Sequence, residues 1–391
     1  MSKLIIEVCK IKAIEKHPNA DRLSIAQVKG WNCIVGLNQY KVGDLVIFCP
    51  PDSVIPANII DKYKLEYLKK DGRVKTVKLR KFISQGLVLD IPKDKNWKEG
   101  KDVAKDLGIT KYEPPQSKYS LGNNKVTFGK LWKKYIEKEI SLRRLVAKTI
   151  GLVKDSLKPK KNPNPLFNKY TDIENIKNYD TVFKVGDNVV ITEKIHGTNF
   201  RAGYLPIHPG QGLRNKIKYL VNKYLLNKNY EFVYGSHNVQ KISFKGRGFY
   251  NEDVYGKIAK KYKLAEILPK DYVIYGEIYG VGIQELEYGM KDIDIRFFDI
   301  KYQGKYINFH DFTEFCLNKI LPVVPVLAIE EYDPEKLKSY TEGKSVIAPN
   351  QIREGCVVTS LEEENNHRVG RKILKSINPE YLIKKNRTEH H

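Results

Sequence analysis

One stretch constrains this chain more than any other. The run Asn188-Val189-Val190-Ile191-Thr192 is apolar and β-branched, so it reads as a buried strand. It leads directly into Glu193-Lys194-Ile195-His196-Gly197-Thr198-Asn199. A lysine leaving a strand end, followed by a small residue and two short polar ones, suits an amine that must attack a phosphate. Lysine is a poor nucleophile while protonated, so that use needs neighbouring cations or a metal to depress its pKa. Gly197 would let a substrate approach the backbone closely. Taken alone, the same string also fits a surface turn in a lysine-rich protein.

Further runs recur in order. Asp271-Tyr272-Val273-Ile274-Tyr275-Gly276-Glu277-Ile278-Tyr279-Gly280 reads as a strand carrying a carboxylate, followed by glycine turns at Gly280-Val281-Gly282 and Tyr288-Gly289. Asp294-Ile295-Arg296-Phe297-Phe298-Asp299-Ile300 reads as another strand. Arg353-Glu354-Gly355-Cys356-Val357-Val358 again sets a carboxylate at the edge of a buried strand, and Arg371-Lys372-Ile373-Leu374-Lys375-Ser376 sets lysines beside apolar residues. Each has an ordinary structural reading. Glu277 and Glu354 fit strand-end carboxylates, Phe297 and Phe298 core aromatics, and Lys372 and Lys375 a solvated face.

Taken together and in this order, the runs resemble motifs I, III, IIIa, IV and V of the covalent nucleotidyltransferases: ATP-dependent RNA and DNA ligases and mRNA capping enzymes. The stretch Ser376–His391 after the last motif is too short for the OB domain that DNA ligases and capping enzymes carry there. The extra sequence lies upstream, an arrangement similar to RNA ligases with an N-terminal OB domain. His17-Pro18-Asn19-Ala20-Asp21-Arg22-Leu23 and Val77-Lys78-Leu79-Arg80-Lys81-Phe82-Ile83-Ser84-Gln85-Gly86-Leu87 resemble parts of such a module. The chain departs from the family pattern at four places. His196 stands where Asp is frequent, His237 where an arginine follows a serine, Thr359 where some relatives carry lysine, and Ile373 where motif V begins with lysine.

The resemblance implies an α+β fold: an OB-type β-barrel, then a domain of two antiparallel sheets flanking a nucleotide cleft. It implies an ATP-dependent RNA ligase that joins 3′-OH and 5′-phosphate ends, in RNA repair, through a lysyl-AMP on Lys194, with ATP as substrate and Mg²⁺ or Mn²⁺ as metal. Glu193 would lie near the adenine, Glu277 would accept from the ribose, and Phe298 would stack on the base. Glu354, with Glu277, would hold metal or its waters, and Lys372 and Lys375 would contact the α-phosphate. His196, Thr198 and Asn199 would serve the pyrophosphate-leaving and RNA-phosphate steps, and Gly197 would be among the nucleotide-binding residues. Rivals are a capping guanylyltransferase, a DNA ligase, or a non-catalytic RNA-binding protein of the same fold.

Charge agrees with a nucleic-acid partner. The chain carries 69 Lys and Arg against 46 Asp and Glu, a formal net charge of +23; lysines that meet phosphates release counterions. Cys9, Cys33, Cys49, Cys316 and Cys356 form no C-x-x-C pair, which fits a reduced, cytoplasmic setting. No signal peptide or long apolar run appears, so no membrane insertion is expected, and the protein is expected to act as a monomer on RNA, including nicked duplexes.

Three regions are expected. Residues 1–114 hold strands near Lys3–Cys9, Ser24–Val28, Asn32–Gly36, Asp44–Phe48, Val74–Leu79 and Gly86–Leu89, with a helix near Lys62–Leu68. Its basic face offers Lys78 and Arg80 to RNA. Residues 115–178 form a linker, marked by Glu113-Pro114-Pro115-Gln116 and Lys158-Pro159-Lys160-Lys161-Asn162-Pro163-Asn164-Pro165. It bears a basic amphipathic helix around Leu131, Tyr135, Leu142, Leu145 and Thr149. Residues 179–391 form the nucleotidyltransferase domain, with helices near Lys216–Leu226, Glu252–Tyr262 and Phe312–Ile320.

Overall fold

The computed structural model describes residues 4–113, 164–209, 213–241 and 253–383. The expected basic helix between Leu131 and Thr149, and most of the Pro-rich connector, lie outside these residues.

The N-terminal region is built on a five-stranded sheet. Its strands run, in spatial order, Trp31–Gly36, Leu23–Val28, Glu7–Lys16, Leu45–Cys49 and Leu87–Asp90. Glu7–Lys16 is longer than the expected first strand because a register shift between Ile11 and Ala13 bends it. Its first half pairs with Leu45–Cys49 and its second half with Leu23–Val28. Bending one strand across two pairings is how a small sheet curls toward a barrel. Alternating side chains then fill two apolar clusters, one around Ile6, Ile47 and Leu89, the other around Trp31, Cys33 and Phe48. The expected helix at Lys62–Leu68 is displaced. Lys64 adopts a left-handed φ of 53°, so an α-helix over Ala57–Lys62 stops there and only a 3₁₀ turn, Glu66–Leu68, follows.

The second region has two sheets. One orders Glu174–Asn175, Ile373–Ile377, Gly355–Ser360, Asn188–Glu193 and Val326–Glu331. The other orders Gln240–Lys241, Tyr230–Ser236, Thr198–Pro206, Tyr272–Gly280, Ile293–Tyr302 and Lys305–Tyr306. All pairings are antiparallel except Glu174–Asn175 with Leu374–Lys375. Helices Val254–Lys261 and Phe309–Asn318 pack on the second sheet around Phe297 and Ile274, and Leu337 of Pro334–Thr341 joins the core behind the first. The third expected helix is an α-helix over Leu213–Leu220 that loosens into a π-helical turn at Val221–Leu225.

Two features position the site. The chain passes from the first sheet to the second between Glu193 and Thr198, so Lys194 to Gly197 form the crossing between them. Residues 164–178, assigned to the linker from sequence, are built into the second region instead: Phe167 and Tyr170 are buried against Val273, Tyr275 and Ile373. The two regions touch through Trp31 Nε1, which donates to Asn178 Oδ1 at 2.8 Å, and through Lys12 with Asp180.

Candidate active site

A cleft of about 440 Å³ opens between the two sheets. Lys194 stands at its floor on the crossing segment. Its backbone N donates to Gly355 O at 3.0 Å, and its Nζ lies 2.7 Å from Glu354 Oε1. Gly355 makes that approach possible. At φ +153° a side chain there would meet Ser376 O at 2.1 Å, so only a bare Cα lets the two strands close beside Glu354. Gly197 is held as tightly, since a Cβ would fall 2.1 Å from Ile278 O. The sequence reading gave Gly197 to the substrate; the neighbouring strand already occupies that approach.

The carboxylates on either side of Lys194 are tuned in opposite directions. Burial would raise the Glu354 carboxyl, but the charge of Lys194 and the His196 ring outweigh it and hold the group down at about 2. Burial pushes Glu277 up to about 8; Lys194 opposes that shift and Glu354 adds to it. His196 is buried with its Nδ1 3.4 Å from Glu354 Oε2.

Several buried oxygens in the cleft lack partners among the described residues. Glu193 Oε2 accepts from Val346 N at 2.8 Å, but its Oε1 has no hydrogen-bond partner; nor do Asn199 Oδ1 and Glu354 Oε2. Buried acceptors without donors are costly unless a ligand supplies the donor.

Phe298 reaches the cleft because the strand is irregular. Tyr275 pairs with Asp299 and Gly276 with Phe297, so Phe298 is an extra residue at a bulge. Phe297 therefore stays in the outer core, while Phe298 and Asp299 both line the cleft. On the motif V strand the ordinary alternation decides: Arg371, Ile373 and Lys375 line the cleft, and Lys372 points the other way. There its ammonium lies 2.9 Å from Asp187 and 2.8 Å from Glu364. The structure thus moves Lys372 out of the expected nucleotide site, with Ile373 rather than a lysine beside Lys375.

Of the expected site residues, Glu193, Lys194, His196, Gly197, Thr198, Asn199, Glu277, Phe298, Glu354 and Lys375 share this one cleft. Lys78 and Arg80 do not. Lys78 Nζ lies 2.8 Å from Glu380 across the interdomain contact, and Arg80 sits exposed at the tip of the hairpin Val77–Leu79/Phe82–Ser84. The cleft also holds residues to which the sequence assigned no role. Tyr170, Asp299 and Arg371 form a buried network, with Tyr170 donating to Asp299 at 2.7 Å and Arg371 to Tyr170 at 3.0 Å. Lys111 enters from the N-terminal region. Asp299 and Arg371 adjoin motif residues and were open to notice; Tyr170 and Lys111 lie in segments without any motif.

Residues 187–377 match the family model described as RNA ligase, and residues 5–91 match one described as an OB-fold domain. By these matches residues 187–377 form an RNA ligase family domain, with an OB-fold domain ahead of it. No curated relative matches the sequence significantly. Among solved structures it is similar to Naegleria gruberi RNA ligase. A mutant of that protein with ATP and Mn is 21% identical with TM-score 0.67, and another with AMP and Mn is 21% identical with TM-score 0.68. The form with PPi is 21% identical with TM-score 0.66, and all three matches cover 97% of this chain and 98% of that one. The likeness extends the shared fold across both regions of the chain.

Proposed function

We propose that the protein is an ATP-dependent RNA ligase that seals a 3′-OH to a 5′-phosphate through a covalent lysyl-AMP on Lys194. The observation that carries this reading is Lys194 Nζ held 2.7 Å from Glu354 at the floor of a cleft walled by Glu277, Phe298 and Lys375. The unprotonated amine attacks the α-phosphorus of ATP. A P–N bond forms, the α-phosphorus bond to the bridging oxygen breaks, pyrophosphate departs with the electron pair, and the nitrogen sheds a proton to water. The AMP then passes to the RNA 5′-phosphate. A 3′-hydroxyl displaces it, closing the phosphodiester.

The residues divide this work by chemistry. Phe298 offers a stacking face to the base. The unpartnered Glu193 Oε1 accepts from the exocyclic amine of adenine; the O6 acceptor of guanine would meet it unfavourably, which favours ATP over GTP. Glu277 accepts from the ribose, Lys375 meets the α-phosphate, His196 and Thr198 face the pyrophosphate, and Asn199 faces the RNA phosphate.

The cleft also fits a divalent cation such as Mg²⁺ or Mn²⁺. Glu354 Oε2 is a buried acceptor without a hydrogen-bond partner. No group of three His, Cys, Asp or Glu ligands converges in the cleft among the described residues, so Glu354, with Glu277, would hold a cation only together with water and substrate phosphates. When bound, it neutralises the phosphates and favours the unprotonated amine.

RNA ends, including nicks in duplexes, are the proposed substrates, with the protein working as a cytoplasmic monomer in RNA repair. The test is incubation with α-labelled ATP, and separately GTP, plus Mg²⁺ or Mn²⁺, followed by denaturing electrophoresis. Label from ATP that is lost in Lys194→Ala is the expected result. Label from GTP alone moves the protein to the capping class, and none from either leaves RNA binding without catalysis.

A further inference from the structure

The turn after the motif V strand braces two cleft residues at once. Asn378, 2% exposed, donates its backbone N to Glu354 O at 2.9 Å and its Nδ2 to Arg353 O at 3.2 Å. Its Oδ1 accepts from Glu380 N at 3.0 Å, capping the short helix Pro379–Leu382. On that helix Tyr381 is fully buried and sets its hydroxyl 2.8 Å from His196 Nδ1. His196 is also pinned through its backbone, whose N donates to the Tyr288 hydroxyl at 2.7 Å. Glu354 Oε2 lies farther from the same Nδ1, at 3.4 Å.

The Tyr381 ring packs in an apolar cluster with Ile195, Leu286, Tyr288 and Ile377. A phenylalanine would fill that space without a hydroxyl to satisfy, so the phenol is a choice that packing alone does not explain.

We propose that Tyr381 is a positioning residue for His196 in the pyrophosphate-releasing half of the reaction. The inference rests on the function proposed above. The Tyr381 hydroxyl donates to Nδ1, which fixes the ring plane and leaves the ring proton on Nε2. An Nε2–H presents a hydrogen-bond donor to the departing, negatively charged pyrophosphate; the other tautomer would present a lone pair. The imidazole keeps its own proton, and the proton shed by the lysine nitrogen leaves to water. The Lys194–P bond forms, the P–O bond breaks, and the imidazole stabilises charge on the leaving oxygen.

The arrangement makes a step-specific demand. Pyrophosphate leaves only when AMP is attached to Lys194. Sealing of an RNA end that already carries 5′-AMP releases AMP and bypasses the step. Tyr381→Phe is therefore expected to slow single-turnover AMP attachment by about 10–100-fold with little change in ATP KM. Sealing of pre-adenylylated RNA should stay within about threefold, and the substitution should add almost nothing in a His196→Ala background.

Equal losses in both assays, or the same loss with His196 present and absent, would make Tyr381 a packing residue and overturn the inference. An unchanged AMP-attachment rate would overturn it as well. If Tyr381→Phe fails to fold, 4-aminophenylalanine at position 381 keeps a ring donor and must keep the rate, whereas 4-methoxyphenylalanine must lose it. Failure of the unmodified protein to take AMP at all would sink the ligase reading itself, a result separate from any of these.

Discussion

Two buried ion pairs, one in each region, are built for opposite purposes. In the OB-fold region Arg73 grips Asp52 through two nitrogens, Nε at 2.8 Å and a terminal nitrogen at 2.6 Å, and its guanidinium lies 3.8 Å from the centre of the Tyr112 ring. In the cleft Lys194 meets Glu354 through a single 2.7 Å contact, the second carboxylate oxygen has no hydrogen-bond partner, and the lysine side chain is 17% exposed. A planar, forked cation locked by geometry makes a permanent staple. A compact ammonium on a flexible stem can release its partner and react. The contrast lies in how completely each pair is satisfied, since both carboxylates are buried to a similar degree.

The sharpest way to break the comparison is to remove each cation. Lys194→Ala should abolish AMP attachment, a loss above about 10³-fold, because no other group supplies the P–N bond. It should also cost up to about 3 kcal/mol, since Glu354 is left buried and unpaired. Arg73→Met should cost stability on a similar scale, about 3 kcal/mol by denaturant titration, for the same reason. AMP attachment per folded molecule should nevertheless stay within about threefold. Loss of adduct formation in a folded Arg73→Met protein would show that the OB-fold pair is no mere staple.

The motif V strand gives a second contrast within one short run. Lys375→Ala should reduce AMP attachment by about 10²-fold, as a phosphate contact in a water-poor cleft is lost. Lys372→Ala should leave it within about threefold and cost no more than about 1 kcal/mol, because that lysine bridges Asp187 and Glu364 on the opposite face. Measured single-turnover rates in reverse order would mean that the strand flips its register when nucleotide binds.

This strand also shows how far the sequence could be read. Motif order carried Lys194, Glu277 and Glu354 to the cleft correctly, because strand ends and crossings are marked by local signals: a β-branched run, then glycine. It aligned Lys375 better than Lys372 but kept both at the α-phosphate. A period of two settles which lysine faces the cleft only once the strand's phase is known, and the phase is set by pairing with Gly355–Ser360. Phe298 was placed in the site by resemblance alone. The bulge that aims it arises from a shift against Tyr275 and Gly276, far away in sequence. The Tyr170–Asp299–Arg371 network was illegible for the same reason, because its members meet only when three separate segments converge.

The opposed tuning of the two cleft carboxylates makes a pH prediction. Glu277 is pushed up to about 8, well above its ordinary value near 4.5. Between those values the folded protein holds a proton that the unfolded chain has released, so stability declines as pH rises through the window. Glu354, held down at about 2, acts in the other sense: its contribution is present above about 4.5 and is lost as pH falls toward 2. The melting temperature of the metal-free, nucleotide-free protein should therefore fall between about pH 5 and 8 more steeply than in Glu277→Gln. Parallel curves for the two proteins would show that Glu277 does not carry the proton.

The smallest effect expected is at Lys78, where the OB-fold region touches the second. Its pairing with Glu380 is between side chains that are 43% and 51% exposed, so water and salt screen most of the attraction. Lys78→Ala should cost no more than about 0.5 kcal/mol and leave AMP attachment unchanged. The informative measurement is the salt dependence of RNA binding. If Glu380 keeps the ammonium, the slope of log K against log salt is the same in both proteins. If RNA displaces Glu380, the slope falls by roughly one unit in the variant, since one fewer phosphate is neutralised and one fewer counterion released. In that second case the exposed pair in the OB-fold region would join Lys194–Glu354 as a contact built to open, and of the three pairs Arg73–Asp52 would remain the permanent staple.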